Sequence, residues 1–256
     1  MISAHSAWFQ RPAPRPEAKA RLICFPYAGA GASVFLPWPA RFRDYSIELC
    51  LVQIPGRENR IRETPLRSLP DLISGLLPAL DPLLDRPFSF FGHSMGTLVA
   101  YEMMRELRRR NRPMPVRAFM SGALPPNIKI FRPVSHLPDD QIIQELVFRY
   151  KVLPDGFAAS RELISLIMPT VRADLALMEN HALRSEAPFA TPITAIGGVD
   201  DTSTPREGLA AWSEHTLRPL KISLVPGGHF YIRPPPRQLL QLIIEDLGLE
   251  PGSPPA

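Results

Sequence analysis

Cysteine is scarce in this chain, with two in 256 residues, Cys24 and Cys50. Neither has a partner at metal-ligand spacing, and so sizeable a chain needs no disulfide staples, which argues against zinc modules and small cross-linked scaffolds. Both lie in apolar strand-like runs, RLICF and IELCLV, so their expected role is core packing rather than thiol chemistry or a disulfide. Long apolar runs are missing as well. No run of 18 apolar residues occurs, and the chain does not open on a basic-then-apolar leader. Neither a membrane-spanning helix nor export is therefore expected, and the protein reads as soluble and cytoplasmic. Internal repeats are absent, and so is any nucleic-acid motif. The net charge of +4 is spread over Arg57 to Arg67, the 105–112 run and the C-terminal third. That distribution fits a solvated surface, or an acidic protein partner, better than a nucleic-acid footprint.

What is present is enough for one domain. With 45% hydrophobic and 21% charged residues, the chain can bury a core of its own. A loose, Pro-rich N-terminus is expected over 1–19, a single domain over 20–250 and a short tail over 251–256. Apolar runs at Arg21 to Phe25, Ile47 to Val52, Phe88 to Phe91, Val116 to Ser121, Pro192 to Gly198 and Leu220 to Val225 read as strands. Helical periodicity marks Leu69 to Leu84, the segment after Ser94, and Arg237 to Leu247. Thr204 with Pro205 reads as an N-cap and first-turn pair opening a helix through Trp212. Alternating strands and helices, with strands apolar throughout, predict a mostly parallel α/β sheet covered on both faces. The alternation stops between Gly122 and Pro188. Two helical segments there, Asp139 to Tyr150 and Ser160 to Met178 with an expected kink at Pro169, read as an inserted lid over about 123–188. The alternative is a pair of ordinary crossover helices.

The chain is organised around FSFFGHSMGTLVAYEMMRELRRRN, residues 88–111. A short apolar strand, a Gly-His-Ser-Met-Gly turn and an amphipathic helix follow one another, which is the context a G-x-S-x-G nucleophile elbow requires. In such a turn Ser94 sits in a strained backbone conformation with its hydroxyl exposed, and Gly92 and Gly96 leave room for neighbouring backbone. A serine hydroxyl needs a base, and the base needs a carboxylate to fix its tautomer. Of six histidines, His5 lies near the N-terminus, His136, His181 and His215 lie in or beside predicted helices, and His93 sits inside the elbow facing away from Ser94. Only His229 stands in a Gly-rich loop directly after a strand. Asp200 sits in the loop after the preceding strand, with Asp201 beside it as the rival carboxylate. Loops after parallel strands open on one edge, so Ser94, an aspartate and His229 converge there in the order used by α/β-hydrolases. Oxyanion donors are expected from the Met95 N–H at the helix N-terminus and from the PYAGAG loop, with Ala28 as the candidate. Such a site performs acyl transfer from an ester or thioester.

With those loops in view, the chain resembles the type II thioesterases associated with non-ribosomal peptide and polyketide synthetases. The resemblance runs from Leu22 to Leu247 through CFPYAGAGAS, Trp38, VQIPGRENR, FFGHSMGTLVAYE, Ser121-Gly122, HLPDD, MPTVRAD, GGVDD and PGGHF. It implies an α/β-hydrolase fold with a helical lid covering the acyl chamber, Ser94 as nucleophile, His229 as base, Asp200 as the orienting acid, and Ala28 and Met95 as oxyanion donors. It also implies hydrolysis of acyl or aminoacyl groups from the phosphopantetheine arm of acyl or peptidyl carrier proteins, an editing role, with no cofactor or metal of the enzyme's own and a monomeric state. Some relatives release medium-chain fatty acids instead. A general esterase, an acyltransferase and a non-catalytic carrier-binding module are the alternatives. Two departures fall in the lid and chamber: FRYKVLPDGF replaces a Gly-Gly-x-Pro turn, and His181 stands where an aromatic is common. Both bear on substrate size.

Overall fold

Strands whose side chains are apolar in both directions are stable only with a helical layer on each face. In the computed structural model, which describes residues 6–129, 132–151 and 161–251, the elements in chain order are β1 (Phe9–Gln10), β2 (Ala20–Phe25), β3 (Ile47–Val52), α1 (Leu69–Leu80), β4 (Phe88–His93), α2 (Met95–Arg109), β5 (Arg117–Ser121), α3 (Asp139–Tyr150), α4 (Arg161–Glu179), β6 (Ile193–Gly198), α5 (Arg206–Leu209), β7 (Lys221–Val225) and α6 (Arg237–Asp246). His5, the LPDG of the lid segment, Ser160 and most of the C-terminal tail lie outside the described residues.

The strands form one sheet in the order β1-β3-β2-β4-β5-β6-β7. Every neighbouring pair is parallel except β1 with β3. The register aligns Phe25 with Gly92, His93 with Ser121, Ser121 with Ile196, and Gly198 with Val225, so the loops after β2, β4, β6 and β7 leave the sheet along one edge. Alternate strand residues feed two cores. Ile23, Phe25, Cys50, Phe88 and Phe90 pack with α1 and α2, while Leu22, Cys24, Leu51, Phe91 and Phe119 pack with Trp38 and α6. The two cysteines thus lie on opposite faces of the sheet, both buried and free. Burial pushes the Cys50 thiol up to about 12 and Cys24 well above its ordinary value, which leaves neither available as a nucleophile at neutral pH.

Three expectations change. The Pro-rich segment is not loose where it is described: Phe9 and Gln10 pair with Val52 and Leu51. Arg11 reaches the buried Glu48 carboxylate, which also takes the Arg21 guanidinium at 2.9 Å. The helix after β6 begins one residue late, because Pro205 is its N-cap with φ −63° and ψ 152°. The Thr204 hydroxyl is turned instead to the Asp201 carboxylate, 2.8 Å away. Helix α1 stops at Leu80, and Asp81–Leu83 continues as a 3-10 turn around Pro82. In the insertion, α3 and α4 share a third cluster of Val134, Ile142, Leu146, Met168, Val171 and Leu175, and α4 runs through Pro169 without interruption.

Candidate active site

Ser94 stands between β4 and α2 with φ 53° and ψ −117°, a conformation that costs a non-glycine residue roughly 1–3 kcal/mol and is held only by its surroundings. Those surroundings are specific. The Ser94 N–H donates to the Ser121 carbonyl at 2.8 Å, and the Thr97 hydroxyl donates to the carbonyls of Gly92 and Ser121. A β-carbon at Gly92 would collide with the Gly96 carbonyl, and one at Gly96 with the Phe25 carbonyl, so the elbow closes only with glycine at both positions.

The loop after β7 brings His229 to this serine. Gly227 has φ 111°, and a side chain at Gly198 would strike the carbonyls of Gly227 and Gly228, so this Gly-rich loop lies directly on the end of β6. His229 is buried, with Nε2 3.0 Å from Ser94 Oγ and Nδ1 2.8 Å from Asp201 Oδ2. A carboxylate only accepts, so Nδ1 carries the proton and Nε2 is free to take one. The carboxylate facing His229 therefore belongs to Asp201, and the expectation of Asp200 is corrected. Within the turn, the Asp201 N–H bonds Gly198 and its side chain turns inward, whereas Asp200 bonds Gly227 through its N–H and exposes its side chain. Asp201 also accepts from the Ser203 N–H and the hydroxyls of Ser203 and Thr204. Burial raises its carboxyl, but the bonds from His229, Ser203 and Thr204 outweigh that and hold it well below the usual range.

In and just beyond the PYAGAG loop, several N–H groups are already committed. Those of Gly29, Ala30, Ala32 and Ser33 are taken by Asp174, Tyr27, Gln53 and Glu58. The Ala28 N–H has no acceptor among the described residues, and Ala28 lines a small void of about 30 Å³ with Ser94 and His229. Met95 opens α2, where N–H groups lack intrahelical acceptors and attract negative charge.

Two residues of the site escape sequence reasoning about roles. His93 is wholly buried, and its Nε2–H donates to the carbonyl of His229 at 2.9 Å while Nδ1 meets the Ser121 hydroxyl at 2.9 Å. It carries the backbone of the neighbouring histidine. Burial, reinforced by His229, lowers the His93 pKa from 6.5 to about 3. The folded value lies below the unfolded one, so its contribution to stability is complete above pH 6.5 and is lost as pH falls toward 3. Urea unfolding across pH 7 to 4 is expected to show falling stability, with a slope shallower by up to ~1.4 kcal/mol per pH unit in His93→Gln. An unchanged slope would refute this account.

The other is Tyr150, the last residue of α3. Its ring stacks on His229 with centroids 4.0 Å apart and planes at 23°, and it lines the small void beside Ser94. The insertion thus reaches the histidine that faces the serine. Tyr150 lines both the small void and a chamber of about 250 Å³ walled by Leu98, Leu124, Ile128, Met178 and Trp212. His181 stands in that wall with Nε2 3.1 Å from Glu102, a polar element in a mainly apolar space. Tyr150→Ala is expected to merge the two spaces and raise the kcat/KM ratio of branched over short linear acyl substrates by about tenfold or more. A ratio unchanged from wild type would count against Tyr150 as a divider between them. A larger groove of about 650 Å³ along α1 and α2 contains neither Ser94 nor His229, so its size does not make it the reaction site.

A strained serine between a strand and a helix, at the edge of a mostly parallel sheet and with a histidine and an aspartate from later loops, is the arrangement of the α/β-hydrolase fold. The chain belongs to the thioesterase family, whose domain matches residues 20–247. It is 36% identical over 249 residues to the gramicidin S biosynthesis protein GrsT of Aneurinibacillus migulanus, covering 97% of this chain and 96% of that protein. It is 33% identical to the medium-chain S-acyl fatty acid synthase thioesterase of Homo sapiens, covering 88% and 85%. Among solved structures it superposes on the type II thioesterase BorB from the borrelidin biosynthetic cluster with a TM-score of 0.85 and 29% identity, covering 96% and 99%.

Proposed function

We propose that this protein is a serine thioesterase that hydrolyses acyl or aminoacyl groups from the phosphopantetheine arm of an acyl or peptidyl carrier protein, and so edits a non-ribosomal peptide or polyketide assembly line. The observation that carries the reading is the chain of contacts Asp201 to His229 to Ser94, beneath a lid and beside an apolar chamber. The relation to GrsT and BorB supports the biosynthetic setting.

The chemistry follows from the protonation states. Ser94 Oγ attacks the thioester carbonyl as His229 Nε2 takes its proton, and Asp201 stabilises the imidazolium. The oxyanion is held by the N–H groups of Ala28 and Met95. As the C–S bond breaks, His229 returns the proton to the departing thiol. Water then gives a proton to His229 and attacks the acyl-enzyme, and Ser94 leaves with that proton. The pantetheine arm belongs to the partner. No helix among the described residues is long and apolar enough to cross a membrane. The proposed setting is the cytoplasm, with the enzyme acting as a monomer.

A second reading, release of medium-chain fatty acids, is favoured by the apolar chamber walls and by the relation to the human thioesterase. The test is mass spectrometry of carrier proteins loaded with a panel of acyl and aminoacyl groups, incubated with wild type and with Ser94→Ala. Serine-dependent stripping of the carriers is the expected result. Surviving carrier thioesters beside cleaved medium-chain acyl-CoA would transfer the assignment to the second reading.

A further inference from the structure

The insertion does more than cover the chamber. Asp174 on α4 and Arg57, in the loop after β3, are both buried, at 1% and 3% exposure. Their charges meet in a two-pronged pair, Nη1 to Oδ2 at 2.7 Å and Nη2 to Oδ1 at 2.9 Å. The same Oδ2 accepts the Gly29 N–H at 2.7 Å, and the same Nη1 donates to the Ala30 carbonyl at 3.2 Å. Gly29 has φ 80°, a left-handed conformation, and a β-carbon there would press on Val171 of α4 at 3.0 Å. Nearby, the Thr170 hydroxyl donates to the Gly56 carbonyl. Residues 170, 171 and 174 thus form one face of α4 that grips two loops at once.

We infer that Arg57 and Asp174 are positioning residues that fix the loop over residues 27–31 against the lid helix and so aim the Ala28 N–H at the carbonyl attacked by Ser94. Neither touches the reacting atoms. The inference rests on the proposed thioesterase reading, in which Ala28 is an oxyanion donor. Its physical basis is that the peptide plane between Ala28 and Gly29 is anchored on its C-terminal side by a buried, charged acceptor. A bidentate guanidinium holds that acceptor in one orientation, which a flexible ammonium does not. An oxyanion donor works through placement, so a small rotation of this loop costs turnover while leaving ground-state binding nearly intact.

The experiment uses an acyl-N-acetylcysteamine thioester as substrate, together with a trifluoromethyl ketone of the same acyl chain, whose carbonyl forms a tetrahedral oxyanion adduct with the serine. In Asp174→Asn and Arg57→Lys, kcat is expected to fall about 100-fold, near the effect of losing one oxyanion donor, with KM within about twofold. Affinity for the ketone should fall by a similar factor, while affinity for the corresponding unreactive acyl amide stays level. The double variant Arg57→Met/Asp174→Leu leaves no unpaired buried charge. It should melt near the wild-type temperature and still show the kcat and ketone defects. The inference is overturned if the single variants fold and keep wild-type kcat and ketone affinity, or if the double variant restores both, since a merely structural pair would then suffice. A different outcome, in which Ser94→Ala retains thioester hydrolysis or wild type forms no ketone adduct, brings down the thioesterase reading itself.

Discussion

Asp201→Asn is expected to lower kcat by about 10⁴ while Asp200→Asn stays within about twofold of wild type. In the protein Asp201 accepts the Nδ1–H of His229, which leaves Nε2 unprotonated toward Ser94. An asparagine amide offers its own N–H to Nδ1 and so favours the opposite tautomer, whose Nε2–H cannot take the serine proton. The imidazolium formed during attack also loses its counter-charge. Asp200, exposed and bonded through its backbone N–H to the Gly227 carbonyl, has no such lever. Steady-state rates for the two variants, with circular dichroism to check folding, decide the matter. Equal losses, or a loss at Asp200 alone, would mean that the turn after β6 adopts a different pairing during turnover.

The largest effect is expected from the pair in direct contact. Ser94→Ala should reduce kcat by about 10⁶, His229→Ala by a similar factor, and the double variant by no more than either alone. Independent contributions would multiply, but a base with no hydroxyl to activate and a hydroxyl with no base are equally idle. The residual rate then comes from binding and the oxyanion donors. Single-turnover measurements with the N-acetylcysteamine thioester supply the cycle. A double variant far slower than both singles would show that His229 acts on water independently of Ser94.

Much of this was legible before the structure because it is local. Ile47–Val52 forms the strand its apolar run announces, and Gly92 and Gly96 signal a turn that no other residues can make. His229 stands out in the sequence by its place in a Gly-rich loop directly after a strand. The choice between Asp200 and Asp201 was harder, since adjacent turn residues differ in direction by an angle that composition does not encode. The contact of Asp201 Oδ2 with His229 Nδ1 shows which carboxylate turns inward. Tyr150 closes the helical segment that begins at Asp139, and nothing in periodicity says that a helix end lies over a histidine ring. Arg57 and Asp174 are 117 residues apart, beyond the reach of any spacing rule. Helix α5 starts late because Thr204 answers to the carboxylate of Asp201 before its own helix.

The small strand β1 has a bearing on how copies of this molecule behave toward one another. Phe9 and Gln10 occupy the outer side of β3, whose six residues are all buried. Without that cover, Leu51 and Val52 would leave outward backbone groups unpaired at the end of an apolar strand, which is a template for a second chain to join. The Arg11 guanidinium and the Arg15 backbone N–H, both donating to Glu48, tie down the segment that follows the cover. The proline-rich stretch, expected to be loose, thus closes part of the sheet's open margin.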